Sequence, residues 1–149
     1  MRAVLQRVSR GRVLVDGQEV GAIGPGWAIL LGIGPSDDEA TAAGLVDKII
    51  ALRAFGDAAG KMNLPASEVG AEFLVVSQFT LYADLSRGRR PGFAGAAPPA
   101  VADPLVRRFC DLLRQRGFRV ASGRFGAMME VEICNDGPVT FVLSTDGWE

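Results

Sequence analysis

The stretch Trp27-Ala28-Ile29-Leu30-Leu31-Gly32-Ile33 carries no polar side chain on either set of alternate positions. A strand with one wet face alternates in polarity. A run this apolar buries both faces, so the sheet that holds it must be covered on both sides. Phe73-Leu74-Val75-Val76 repeats the pattern and reads as a second central strand. Neither run approaches the ~20 residues that cross a bilayer, so both belong in a protein core. A chain of 149 residues is large enough to build one such core. The expectation is an α/β fold, a single domain over residues 1–149 with mixed β-sheets in α/β/β layers. Two main helices cover one sheet, and further strands pack behind it.

The rest of the chain supplies these elements. Residues 1–8 predict a strand. A second strand over 12–15 turns at Asp16-Gly17 and returns through 20–23, because Asp-Gly between such segments marks a hairpin. After Gly34-Pro35, Ser36 or Asp37 can cap a helix over 37–53 whose apolar stripe is Leu45, Val46, Ile49, Ile50 and Leu52. Residues 55–70 read as an irregular excursion, and 73–82 as a strand. The second helix carries Leu105, Phe109, Leu112 and Leu113 on one face and stops at Gly117. Its start is open between Asp103-Pro104 and Pro98-Pro99. Short strands at 118–121, 128–134 and 139–143 complete the fold. Asn135-Asp136-Gly137 reads first as a hairpin turn, but Pro138 removes a backbone donor where a returning strand should begin.

Composition narrows the chemistry. The chain has no histidine, which excludes a Ser-His-Asp or Cys-His relay, a His-ligated zinc site and an imidazole acid or base. No cofactor or metal site is expected. Cys110 and Cys134 lack metal-ligand spacing and read as reduced core thiols of a cytoplasmic protein. No signal-peptide pattern follows Met1-Arg2 and no segment suits a membrane. Charge is uneven: residues 84–124 hold nine arginines against three aspartates, while the whole chain is at −1. Such a patch suits an anion, phosphate backbone included. Arg87, Arg89 and Arg90 lie in the 84–99 loop, long enough to be functional. For Arg107, Arg114 and Arg116 the reading is a solvated outer face.

Ser77, Gln78 and Thr80 crowd polar groups around Phe79 where the second apolar strand runs out, the usual place for a ligand in an α/β fold. Ser77-Gln78-Phe79-Thr80-Leu81 and, later, Asn135-Asp136-Gly137-Pro138-Val139-Thr140 together resemble the signature pair of the D-aminoacyl-tRNA deacylases. The similarity extends to Gln6-Arg7-Val8, Val20 to Gly24, Gly60 to Leu64, Arg90-Pro91 and Gly123 to Ala127. The resemblance implies a homodimeric proofreading hydrolase that removes D-amino acids from aminoacyl-tRNA. It implies a cis Gly137-Pro138 peptide that enters the partner subunit's pocket and excludes L-side chains, with Arg7 orienting the motif. Ser77, Gln78, Phe79 and Thr80 become the catalytic floor, their backbone amides near the substrate carbonyl. Glycine has no side chain to exclude, so glycyl-tRNA, including glycine mischarged on alanine tRNA, is an expected further substrate. An activated ester needs only orientation and oxyanion donors, supplied by the Phe79 and Thr80 amides, with help from the ribose 2′-hydroxyl. The rival readings are a Thr80-nucleophile esterase, which lacks an evident base, and a non-catalytic RNA-binding module built on the arginine-rich region.

Overall fold

The structure is a computed structural model and describes residues 1–147. Its strands are β1 (Arg2–Val15), β2 (Gln18–Ile23), β3 (Gly26–Gly32), β4 (Phe55–Gly56), β5 (Met62–Leu64), β6 (Glu72–Ser77), β7 (Val120–Ser122) and β8 (Glu130–Ser144). Its helices are α1 (Glu39–Ala51) and α2 (Pro99–Gln115). The main sheet has six strands in the order β2-β1-β3-β6-β7, with β8 on the other side of β1. β3 and β6 are parallel, as are β6 and β7, whereas β1 is antiparallel to β2, β3 and β8, so the sheet is mixed. α1 and α2 are the crossovers from β3 to β6 and from β6 to β7. Among the described residues, no helix is long and apolar enough to cross a membrane.

The two apolar runs are buried on both faces, as their composition requires. On β3 and β6, Trp27, Ile29, Leu31, Phe73 and Val75 join a cluster with Leu45 and Ile49 of α1 and Phe109 and Leu113 of α2. The alternate residues Ala28, Leu74 and Val76 face a second cluster with Val8, Val13 and Ile23. β1 folds over to make that second layer, joined there by Val20 and Ile23 of β2 and by Val131 and Ile133 of β8. The first half of β1 pairs with β3 and its second half with β2, so the strand carries the sheet around onto its own back. Two glycines mark how closely the layers meet. A Cβ on Gly11 would lie 3.3 Å from Leu74 Cδ2, and one on Gly21 only 2.6 Å from the Ser122 carbonyl oxygen.

Local chemistry sets the helix ends. Asp38, rather than Ser36 or Asp37, caps α1, accepting from the Thr41 amide at 2.8 Å. Its bonds with Thr41 hold its carboxyl below the usual range. Asp37 instead accepts from the Gly34 amide and the Met1 ammonium, both at 2.6 Å. The open start of α2 resolves to Pro99, preceded by Pro98, with Pro104 carried inside the helix. The burial of Ala102 and Val106 keeps the apolar stripe running through Pro104, so Asp103-Pro104 is no boundary. The expected strands over 1–8 and 12–15 are one strand, β1, and the expected strand over 73–82 ends at Ser77. Within the 55–70 excursion, β4 and β5 pair as a short hairpin.

The reading of Asn135-Asp136-Gly137 as a hairpin turn is overturned. β8 does not return: Glu130 to Asn135 and Thr140 to Ser144 both pair with β1, in the same direction. Gln6 opposes Thr140 and Val8 opposes Asn135, so two steps on β1 face five on β8. The surplus is pushed out as a wide bulge, in keeping with a proline that cannot donate to the ladder. The β1 residue opposite the bulge, outside the paired register, is Arg7.

Trp27 is wholly buried and makes ring contacts with Phe55 (centroids 5.3 Å apart) and Phe141 (5.9 Å), tying β3 to the β4–β5 hairpin and β8. Trp27→Ala should therefore destabilise the fold by about 3–5 kcal/mol in chemical denaturation. A loss below about 1 kcal/mol would mean that this contact is not central to the core.

Candidate active site

Ser77 closes β6 and Gln78 prolongs the parallel ladder by one bond, its amide donating to the Leu31 carbonyl at 2.8 Å. The chain then turns sharply. Phe79–Tyr82 form a 3₁₀ turn, so Thr80 stands on a turn and not in a strand. The first bond closing that turn runs from the Leu81 amide to the Gln78 carbonyl (3.3 Å). The Phe79 and Thr80 amides precede it and have no partner within the turn. The turn is pinned from behind. Tyr82 is buried, the Arg2 guanidinium lies 4.2 Å from its ring centre, and Arg2 donates to the Leu81 carbonyl at 2.9 Å. Gly32 makes room for the turn, since a Cβ there would sit 3.0 Å from the Gln78 carbonyl oxygen. Burial, with Asp37 and Asp146 nearby, pushes the Tyr82 hydroxyl well above its ordinary pKa.

Beside this turn lies a cavity of about 430 Å³, lined by Ser77, Gln78, Phe79, Phe93, Ala97 and Phe125 among others. Its wall is mainly apolar, with three aromatic rings. Phe79 and Phe93 meet edge to face at 4.9 Å, and Phe79 remains 56% exposed. Thr80 faces outward and does not line the cavity; its hydroxyl accepts a hydrogen bond from the Gln78 side-chain amide. Phe93 and Phe125 are site residues that sequence reasoning misses. Phe93 falls in the 84–99 loop and Phe125 in the Gly123 to Ala127 motif, so position in those segments is the available signal.

The second group of expected residues is elsewhere. Asp136, Gly137 and Pro138 are exposed on the bulge, and the Gly137-Pro138 peptide is cis. Gly137 has φ +126°, and a Cβ there would come within 2.8 Å of Val139 Cγ2 and 3.3 Å of Arg7 Nη2. Arg7 holds the bulge on one side through Asp136, donating to its carbonyl and pairing with its carboxylate, each at 3.3 Å. On the other side its Nη1 donates to the Ala54 carbonyl at 2.6 Å. Asn135 closes the base, accepting from the Val139 amide at 3.4 Å. None of Arg7, Gly137 and Pro138 lines the cavity beside Ser77, so one chain does not bring the two groups together.

The arginines separate into two kinds. Arg87, Arg89 and Arg90 are exposed in a loop pinched shut by the paired backbones of Asp84 and Gly92. No ion pair to these three occurs among the described residues. Arg107, Arg108, Arg114, Arg116 and Arg119 are each paired with a carboxylate. Among the described residues, no three of Cys, Asp and Glu converge in a metal-binding group.

A family model described as D-Tyr-tRNA(Tyr) deacylase matches residues 4–144. The chain belongs to the D-aminoacyl-tRNA deacylase family. The curated D-aminoacyl-tRNA deacylase of Symbiobacterium thermophilum is 55% identical over 146 residues, covering 98% of this chain and 97% of its own. That of Heliobacterium modesticaldum is 56% identical over 149 residues, with 100% and 99% covered. Among solved structures, the c-Myc DNA unwinding element binding protein superposes with a TM-score of 0.91 at 40% identity, covering 97% of this chain and 99% of its own. A probable eukaryotic D-amino acid tRNA deacylase shares the fold of this family member at TM-score 0.82 and 20% identity, with 95% and 97% covered.

Arg7 bridges Asp136 on the bulge and Ala54 beneath it, so Arg7→Ala should loosen the bulge and spare the sheet. Hydrogen exchange at the Val139 amide should accelerate while β3 amides keep their protection. Unchanged exchange at Val139 would show that the bulge holds its shape without Arg7.

Proposed function

We propose that this deacylase acts as a cytoplasmic homodimer on D-aminoacyl-tRNA, with the Ser77–Thr80 turn of one subunit completed by the Gly137-Pro138 bulge of the other. The observation that carries this reading is the separation of the two groups: each chain has a cavity beside Ser77 and an exposed bulge that takes no part in lining it. A symmetric pair can bring each bulge to the other's cavity. The esterified terminal nucleoside would occupy the cavity, whose aromatic wall suits a base, with the ester carbonyl toward the Phe79 and Thr80 amides.

In the reaction, water adds to the ester carbonyl and the negative charge on its oxygen is met by those two amides. The bond from the acyl carbon to the ribose oxygen then breaks, and that oxygen leaves as a hydroxyl, taking the proton that the attacking water gives up. The products are free D-amino acid and tRNA. The neighbouring ribose 2′-hydroxyl orients the water, a task for which this histidine-free chain offers no imidazole. The bulge presents backbone carbonyls where an L-side chain would point. Rejection by backbone is indifferent to which D-residue is bound, and it leaves glycyl-tRNA as a substrate because glycine has nothing to reject.

The partner of the Thr80 hydroxyl is the Gln78 carboxamide, which is not a base in either orientation, and a nucleophile needs a base to take its proton. This favours backbone catalysis over the Thr80 esterase. Arg87, Arg89 and Arg90 serve the tRNA backbone, supported by their exposure and lack of ion pairs among the described residues.

Incubation with D-tyrosyl-tRNA and L-tyrosyl-tRNA should release only the D-amino acid at an appreciable rate; persistence of both esters would leave the RNA-binding module as the better reading. Thr80→Ala should keep measurable deacylation, and complete loss in a folded dimer would restore Thr80 as nucleophile. Charge reversal at Arg87, Arg89 or Arg90 should lower the log–log salt slope of tRNA binding by ~0.7–0.9 for each phosphate no longer neutralised. If all three leave the slope as it was, those arginines are only solvating groups.

A further inference from the structure

A second cleft of about 320 Å³ adjoins the cavity beside Ser77, and the two share Ser77, Val106 and Phe125 as a common wall. Its character is the opposite of the first. α2 contributes Asp103, Arg107, Asp111 and Arg114, and β7 contributes Ser122 across the gap. Arg107 and Arg114 are seven positions apart on α2, within about 20° of two full turns, so they point the same way, about 10 Å apart along the axis. Arg114 also reaches across to the Val120 carbonyl at 3.3 Å. The expectation that these two arginines only solvate an outer face leaves out the cleft they line, which borders the candidate site.

We propose that this cleft is the track of the single-stranded RNA immediately preceding the aminoacylated nucleoside, with Arg107 and Arg114 donating to its phosphate oxygens. The inference rests on the deacylase reading, which seats that nucleoside in the adjoining cavity. A strand leaving the cavity over Val106 and Phe125 meets the cleft next, because both residues line the two. The other paired arginines do not line it. Arg108, Arg116 and Arg119 are engaged by Glu39, Asp47 and Glu72, tying α2 and the chain after it to α1 and β6.

The two aspartates are the main objection. Asp103 binds Arg107 through two bonds of 2.9 Å, and Asp111 binds Arg114 at 2.9 Å. Both pairs lie within α2, and the arginines are 75% and 47% exposed. A guanidinium has five N–H donors, so each can add a phosphate oxygen while it keeps its aspartate. Such exposed pairs also exchange readily. The remaining ionisable neighbour adds no charge: burial pushes the Cys110 thiol up to about 11, so it stays neutral. The aspartates hold the forks in place and temper the attraction, which leaves the RNA product free to dissociate.

The test compares kcat/KM on D-tyrosyl-tRNA with kcat/KM on D-tyrosyl-adenosine, a substrate that ends where the first cavity ends. In the double variant Arg107→Gln, Arg114→Gln, the ratio of the first to the second should fall roughly tenfold at physiological salt, with the salt slope lower by ~0.7 per phosphate. The pair Arg108→Gln, Arg116→Gln removes the same charge outside the cleft and should move the ratio far less. Melting temperatures of both variants establish that they fold. A ratio that holds in the cleft variant, or falls equally in both, overturns the RNA track. If the unmodified protein cleaves neither substrate, the deacylase reading fails, and this inference fails with it.

Discussion

Burial of β3 and β6 on both faces is the constraint on which the remaining architecture depends. Two adjacent strands with apolar side chains on both faces need helices on one side and a second layer on the other. The chain meets the second demand with β1, which pairs with β3 over its first half and turns over the back of the sheet with β2 over its second. Nothing polar can then be placed along the middle of β3 or β6. Chemistry is displaced to their ends, where Ser77 and the turn after it appear at the edge of the helical layer. The position of the candidate site thus follows from the same rule as the core.

Legibility in the sequence follows this division. The central strands, the helical stripes and the polar cluster at Ser77 to Thr80 are plain, because each is a local pattern with a direct physical meaning. Three features are not. Asn135-Asp136-Gly137 has the composition of a hairpin turn, and only the pairing of both flanks with β1 shows it to be a bulge. Whether a chain turns back depends on partners distant in sequence. Thr80 and Leu81 suit a strand by residue type, yet the 3₁₀ turn is accommodated by Gly32 and anchored by Tyr82, outside the pattern that suggests the strand. The arginines are legible as a regional excess of charge, and Arg107 and Arg114 have aspartates one helical turn away, whereas the pairing of Arg108, Arg116 and Arg119 needs the positions of Glu39, Asp47 and Glu72.

The proposed function also shows how a chain without histidine can be suited to hydrolysis. In it the polar equipment is mostly backbone: two amides at the start of a turn, and carbonyls on a bulge. The side chains serve mainly as supports. Arg7 spans from Asp136 to Ala54, Arg2 covers Tyr82 under the turn, and Gln78 fixes the Thr80 hydroxyl. Backbone groups do not titrate in the physiological range, so chemistry of this kind does not depend on holding a side chain at a particular protonation state.

The continuity of β8 on either side of the bulge bears on how such a protein can change over time. The ladder resumes at Thr140 after leaving off at Asn135, so the protruding residues carry none of the register of the sheet. A change at Asp136 or Pro138 leaves the pairing of β1 with β8 on either side in place, so a lesion there is not masked by loss of the fold. Exposed Asp136 and Pro138 are accordingly free of the core packing that governs Phe141 and Leu143 a few positions on, whereas Gly137 is held by its φ of +126° and its closeness to Val139 and Arg7. A single strand thus houses two segments under separate pressures, one set by the bulge's own backbone and the other by the core.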